Sequence, residues 1–162
     1  MIEDNVCSND YASMFIRKTN MNNKEYIKGK ETITLDSKEF AEKLVIASED
    51  ENEVCGLMFG KDNHVSEITM VRNEKPSPVY FEFSSTKAGE AIFAAMQKGL
   101  KLIGVWHSHP NNEPNPSMTD YDYMEAHPGI WTIYSPRFTK WASWIRVGNT
   151  IHPVKTMIDY NE

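Results

Sequence analysis

Residues 102–110 read LIGVWHSHP, a compact apolar run that ends in two histidines two positions apart. The run predicts a buried strand, and side chains two apart on a strand point to the same side. His107 and His109 can therefore direct their imidazoles at one ion, while Ser108 faces away. Asp120 follows eleven positions after His109 and completes a set of three ligands. Two nitrogens and one carboxylate oxygen suit zinc, and three protein ligands leave a position for water, as in catalytic zinc sites.

The segments on either side of this run predict a mixture of strands and helices. Residues 32–35 alternate like a strand, and Asp36 with Glu39 resembles a capping box that starts a helix. A second helix is indicated by apolar residues at helical spacing from Ala88, with Gly99 as its stop. A short helix is expected to open at Asp120, and further strands are expected over residues 54–59, 65–72, 102–106, 130–134, 141–147 and 151–157. The fold class is α/β in the α+β sense, with one mostly antiparallel sheet.

Composition limits the number of domains and the kinds of partner. With 162 residues and 40% hydrophobic content, the chain suits one domain, which we place at residues 29–160. Residues 1–28 show no sustained period, which predicts a mobile N-terminal arm and leaves open an irregular extension of the fold or a partner-binding segment. A net charge of -6 disfavours nucleic acid as a partner. The sequence shows neither a long apolar run nor a secretion signal, so we expect no membrane contact and a cytoplasmic protein.

A hydrolytic zinc site also needs a group that accepts a proton from water and later returns one to the leaving amine. Glu53 is a candidate, because it lies at the mouth of a predicted buried strand. Its spacing from the histidines does not separate it from the other nearby acidic residues, which are Glu49, Glu51 and Glu113.

Three short motifs resemble those of one known family. Glu53-x-Cys-Gly, His107-Ser-His-Pro and Pro116-Ser-x-x-Asp120 together look like the JAMM metalloproteases, also called MPN-plus or JAB. The similarity covers roughly residues 32–157, including Asn73 and the pair Ser77-Pro78. It implies a single-domain JAB/MPN fold, a sandwich of sheet and helices related to the cytidine deaminases. The deaminase motifs themselves are missing, which disfavours deamination.

The resemblance also implies a role for each motif residue. His107, His109 and Asp120 would bind one zinc ion, and Glu53 would be the general acid and base. Ser117 would donate a hydrogen bond to the reacting water or to the oxyanion that follows, although it could equally be the N-cap of the Asp120 helix.

The implied reaction is hydrolysis of the amide bond after the Gly-Gly tail of a ubiquitin-like or sulfur-carrier-like protein. Larger members carry inserts that grip two ubiquitins, whereas the corresponding gaps here span only about residues 73–79 and 127–130. The chain therefore resembles compact prokaryotic members, some of which belong to antiviral conjugation systems. Two other functions stay open: a noncatalytic binding module in a larger assembly such as a phage tail, and a metal hydrolase of a small amide. The oligomeric state is also open.

Several other residues have two readings. Trp106 either lines the cleft or packs behind the site, and residues 79–83 either form a strand that pairs with a substrate tail or pack into the core. Cys55 is expected to be a small buried residue, with no disulfide to Cys7. The remaining histidines are expected to be structural or solvated; they are His64, His127 and His152.

Overall fold

Seven strands and three helices make up the part of the chain that this computed structural model describes, residues 28–160. None of these helices has the length and apolar character needed to span a membrane. The predicted arm, including Cys7, lies outside the described residues except for Lys28. In chain order the elements are β1 (Thr32–Asp36), α1 (Ser37–Ser48), β2 (Cys55–Lys61), β3 (His64–Val71), α2 (Ser85–Gln97), β4 (Lys101–Ser108), α3 (Met118–Ala126), β5 (Ile130–Ser135), β6 (Lys140–Val147) and β7 (Thr150–Asp159).

The strands form one continuous sheet in the order β1-β3-β2-β4-β5-β6-β7, and β7 pairs with β1 to close it. Pairing is parallel for β1 with β3, β1 with β7 and β4 with β5. The other four pairs are antiparallel. The prediction of a mixed, mostly antiparallel sheet is therefore confirmed, and β4 lies at its centre between β2 and β5.

Helices cover the sheet on two faces, and each face has its own hydrophobic cluster. Phe40 of α1 packs with Trp106 on one face. Met124 of α3 and Ile92 of α2 pack with Trp131 on the other. Trp106 is fully buried. Since neighbours on a strand face opposite sides, Trp106 packs behind His107, and the cleft-lining alternative is wrong.

The helix starts follow capping rules, with two differences from expectation. Asp36 accepts a hydrogen bond from the Glu39 amide at 3.1 Å, as predicted. The Glu39 carboxylate does not turn back to close the box; it accepts from the Ile68 amide at 2.7 Å and so ties α1 to β3. Helix α3 begins at Met118 rather than at Asp120, because Ser117 occupies the N-cap.

The segment between β3 and α2 does not contain the strand considered for residues 79–83. It makes only isolated bridges, Asn73 with Phe83 and Ser77 with Tyr80. Side chains replace a neighbouring strand here: the Glu82 amide donates to Asn73 Oδ1 at 3.0 Å. Phe81 and Phe83 are buried, so the alternative of core packing is confirmed for both.

His127 ends α3 as a buried histidine in an aromatic pocket. Its ring lies edge-on to Tyr123 at 4.3 Å between centroids and to Phe83 at 5.5 Å. Burial lowers the pKa of His127 from 6.5 to about 4. Between pH 6.5 and about 4, the unfolded chain binds a proton at His127 that the folded chain does not bind. Lower pH in this range therefore favours unfolding.

We therefore expect the free energy of unfolding to fall as the pH drops from 6.5 towards 4. In His127→Phe this decrease should be smaller, because the variant has no imidazole to protonate at this position. The difference between variant and wild type should reach roughly 3 kcal/mol at most, at about 1.36 kcal/mol per pH unit. Urea unfolding at pH 6.5 and 4.5, with a chelator present throughout, measures it. An unchanged pH dependence in the variant would show that His127 is protonated in the folded chain.

Candidate metal centre

The end of β4 places both histidines on one side of the sheet. His107 pairs with Cys55 of β2 and with Ile133 of β5, and its side chain is fully buried. His109 lies just beyond the strand, where its amide donates to the Tyr134 carbonyl at 2.8 Å. That bond continues the β4–β5 pairing past the strand end. The two imidazoles therefore point the same way, as the H-x-H spacing predicts.

Asp120 meets both imidazoles. Its Oδ1 lies 3.3 Å from His107 Nε2, and its Oδ2 lies 2.9 Å from His109 Nε2. The two Nε2 atoms are 3.2 Å apart. Ligand atoms from the three residues all lie within 4.8 Å of one another, and within residues 28–160 no other group of histidine, cysteine or acidic side chains meets this criterion. The donor set and its convergence fit one zinc ion.

The first turn of α3 fixes the carboxylate of Asp120. Ser117 and Asp120 form a complete capping box: the Ser117 amide donates to Asp120 Oδ2 at 3.0 Å, and the Asp120 amide donates to Ser117 Oγ at 3.1 Å. Ser117 is thus the N-cap that the sequence allowed. Since one carboxylate oxygen is held by the backbone, the orientation of Asp120 is set before any ligand arrives.

Burial and mutual contacts shift the pKa values of all three residues. Burial lowers the pKa of His107, which keeps this imidazole neutral. Burial alone would raise the pKa of Asp120, but the two histidines outweigh it and hold that pKa well below its ordinary value. Burial alone would lower the pKa of His109, but hydrogen bonds to Asp120 through Nε2 at 2.9 Å and to the Glu113 carbonyl through Nδ1 at 2.8 Å raise it. A metal at Nε2 would take the place of the proton shared with Asp120, and Nδ1–H would keep its bond to the carbonyl.

Glu53 reaches the site because the pairing with the end of β4 continues past the start of β2. The Ser108 amide donates to the Val54 carbonyl at 3.0 Å, and the Val54 amide donates to Ser108 Oγ at 3.0 Å. Cys55 lies opposite His107, so Glu53 comes opposite His109. Its side chain is buried, and its Oε1 has no hydrogen-bond partner among the described residues.

The backbone of Glu53 is anchored from the other side by the segment that follows β3. Its amide donates to the Ser77 carbonyl at 2.8 Å. Its carbonyl accepts from Asn73 Nδ2 at 3.0 Å. Glu53 and Asn73 line one surface cleft together with Pro76. The carboxylate therefore projects from a fixed backbone into the region beside the donor set.

Burial and two neighbouring groups shift the pKa of Glu53. Burial raises its pKa to about 8, with nearby His109 lowering it and Asp120 raising it further. A cation held by the neighbouring ligands would favour the carboxylate and bring this pKa down. A carboxyl group that titrates near neutrality can both accept and release a proton.

The structure distinguishes Glu53 from the other acidic residues considered for the same role. Glu49 and Glu51 are exposed. Glu113 pairs with Lys140 at 3.3 Å and turns only its backbone carbonyl towards His109. Burial beside the donor set therefore singles out Glu53, which sequence spacing does not.

Sequence reasoning missed two residues that shape the site. Ser108 joins the ends of β2 and β4 through its hydroxyl, and its place between the two histidines is the signal that could have revealed it. Phe81 packs its ring against His107 at 4.7 Å between centroids. No sequence pattern indicates that contact, because it depends on the path of an irregular segment.

The closed mixed sheet of this chain matches the fold of a solved JAB1/MPN domain protein. The buried His-His-Asp donor set lies at the end of the central strand. The chain belongs to the family of prokaryotic homologs of the JAB domain, whose model matches residues 40–147. The sequence-based identification of a compact JAMM-type enzyme is thereby confirmed.

Known proteins similar to the chain include a desampylase and two solved structures. A desampylase from Pyrococcus furiosus is 35% identical over 117 residues, which cover 72% of this chain and 83% of the relative. A protein from Desulfitobacterium hafniense superposes with a TM-score of 0.73 at 24% identity, over 80% of this chain and 94% of the other. A JAB1/MPN domain protein from Archaeoglobus fulgidus gives 0.54 at 17% identity, over 79% and 98%. The two structures confirm the predicted fold.

Proposed function

We propose that the protein is a zinc-dependent isopeptidase that hydrolyses the amide bond after the Gly-Gly tail of a ubiquitin-like protein. His107, His109 and Asp120 would hold one zinc ion. Bound zinc supplies a Lewis acid that polarises the scissile carbonyl and makes water more acidic. The observation that carries the proposal is the buried carboxylate of Glu53 beside this donor set, because a metal that only stabilises the fold needs no such group.

Glu53 would act as the general base and then as the general acid. It takes a proton from the attacking water and gives it to the amine that leaves. Its anchored backbone and buried side chain keep the carboxylate in place between the two transfers. General acid–base catalysis of this kind contributes about 10²–10⁴-fold in rate.

Ser117 would assist with a hydrogen bond. As N-cap it uses an oxygen lone pair to accept from the Asp120 amide. Its hydroxyl proton can therefore point to another acceptor, either Thr119 Oγ1 at 3.0 Å or the oxyanion that develops on the substrate. A donor aimed at developing negative charge lowers the barrier by about 3 kcal/mol in comparable sites.

The proposed substrate follows from the family and from the size of the chain. Desampylases are JAMM-family hydrolases that remove a ubiquitin-like protein. The connection from α3 to β5 here is only residues 127–129, which supports the absence of a second ubiquitin-gripping insert. A Gly-Gly tail suits a narrow passage beside the metal, because side chains would clash there. The proposed class comprises ubiquitin-like and sulfur-carrier-like proteins with such tails, including any that belong to an antiviral conjugation system.

Linear fusions of ubiquitin-like proteins to a reporter test this function. We expect intact-mass spectrometry to show a single cut after the second glycine, and we expect replacement of that glycine by alanine to slow the cut by at least about tenfold. A chelator should stop the reaction, and added zinc should restore it. Cleavage at another position, or cleavage that persists in excess chelator, would contradict the proposal.

A further inference from the structure

The two metal-site histidines differ in how their second ring nitrogen is satisfied. His109 Nδ1 contacts the Glu113 carbonyl. His107 Nδ1 is buried and has no hydrogen-bond partner within residues 28–160. Metal-binding histidines almost always donate this N–H to an acceptor, which fixes the ring orientation. Some other contact must therefore fix the orientation of the His107 imidazole.

Two buried aromatic rings pack against the imidazole of His107. The Phe81 ring lies against it at 4.7 Å between centroids with an interplanar angle of 36°. Trp131 meets it edge-on at 5.3 Å and 81°. Phe81 is 2% exposed and Trp131 is 0% exposed. Both contacts are close enough to restrict rotation of the imidazole about its Cβ–Cγ bond.

The two aromatic side chains are themselves held firmly. Trp131 Nε1 donates to the His127 carbonyl at 2.8 Å. Phe81 lies edge-on to Phe83 and to Tyr123, each at 5.2 Å. Its backbone belongs to the segment that Asn73 ties to Glu53. Rings with fixed positions can set the angle of a third ring, whereas mobile rings cannot.

We propose that Phe81 is a positioning residue for the metal site, which packs His107 into the ligating orientation in place of the missing hydrogen bond. The inference rests on the proposed function only in taking His107 as a metal ligand. Phe81 lies in the segment that anchors the backbone of Glu53, and it also contacts His107. The proposed general base and one proposed metal ligand are therefore both held by this segment. Loss of the Phe81 ring would free the imidazole to rotate and weaken metal binding.

Two matched variants test the inference, Phe81→Leu and Phe83→Leu. Both remove a buried phenylalanine from the same segment and the same hydrophobic cluster. The ring of Phe83 packs on Tyr123, His127 and Phe81, and it makes no ring contact with His107 among the described residues. Any general effect of a smaller core side chain should therefore be shared, whereas loss of the direct contact with the metal-site imidazole is confined to Phe81→Leu.

We expect both variants to lower the Tm of the metal-free protein, and we expect Phe81→Leu to weaken zinc binding clearly more than Phe83→Leu does. The zinc dissociation constant, measured by competition with a chromogenic chelator, should rise about tenfold, the lower end of the range for lost supporting contacts. The visible absorption bands of the Co²⁺-loaded protein should shift in the same variant, since they report ligand geometry. If Phe81→Leu fails to fold, Phe81→Met and Phe83→Met give the same comparison with less loss of volume.

Equal zinc affinity and equal Co²⁺ spectra in the two variants would overturn the inference. Wild-type protein that binds no zinc would instead overturn the ligand assignment of the proposed function. Zinc that binds normally to a protein without peptidase activity would contradict the proposed reaction and leave the test of Phe81 intact.

Discussion

Glu53→Gln is expected to reduce the rate of Gly-Gly cleavage by about 10³-fold, within the 10²–10⁴ range for general acid–base catalysis, while zinc binding is retained. Glutamine matches the shape of glutamate but can neither take a proton from water nor return one to an amine. Burial disfavours the charged carboxylate at this position. The variant should therefore be at least as stable as wild type, which would mark Glu53 as a residue kept for function at a cost in stability.

Steady-state cleavage of a Gly-Gly fusion and the zinc content of the same preparation measure these effects together. Glu51→Gln is the matched control, because Glu51 belongs to the same acidic run but is exposed. It should cleave at the wild-type rate. A Glu53→Gln protein that keeps more than about a tenth of the activity at full zinc content would remove Glu53 from the mechanism.

Gly104→Ala is expected to have the largest effect on the fold and on the site together. Gly104 pairs with Ile130 in the parallel contact between β4 and β5. A methyl group on Gly104 would overlap the Ile130 carbonyl oxygen, and backbone atoms cannot move aside as a flexible side chain can. The strands would have to separate just before His107, so we expect a loss of about 3 kcal/mol or more and a loss of zinc binding.

Urea unfolding and zinc content of the purified variant check this expectation. Gly89→Ala in α2 is the control, because an added methyl group there meets nothing within 4 Å. It should be neutral or stabilising by about 0.5–1 kcal/mol, since alanine favours helix over glycine. Wild-type stability and zinc content in Gly104→Ala would show that β4 and β5 adjust without disturbing the site.

Local periodicity was sufficient to predict most of the fold. The apolar run before His107 is β4, and the alternation of residues 32–35 is β1, because burial of one face imposes the same spacing that the sequence displays. The predicted start of α3 at Asp120 is two residues too late, since the helix begins at Met118. Ser117 and Asp120, three positions apart, have the spacing of a capping box, which is the signal for the earlier start.

Residues 72–84 show where sequence reasoning fails. Their backbone is held by side chains distant along the chain, such as the Tyr123 hydroxyl that accepts from the Phe83 amide at 3.0 Å. No local pattern encodes such a partner. The closure of the sheet by β7 on β1 is hidden for the same reason, since strand order depends on tertiary packing.

In the candidate site, too, local spacing predicts some residues, and others depend on tertiary packing. The three metal-site residues lie within one short stretch whose spacing has a direct geometric meaning, and their convergence was predictable. Glu53 became unique among four acidic residues only through the family resemblance, and its burial opposite His109 supports that choice. The support that Phe81 gives to His107 emerges only from the packed structure.

We propose that one zinc ion in the His107–His109–Asp120 site drives hydrolysis. Titration of the metal-free protein with zinc, followed by the initial rate of Gly-Gly fusion cleavage, tests it most directly. The rate should rise from near zero in proportion to zinc and level off at about one equivalent per chain, as expected for a single catalytic site. Full activity in the metal-free protein, or a rate that does not respond to zinc, would contradict the claim.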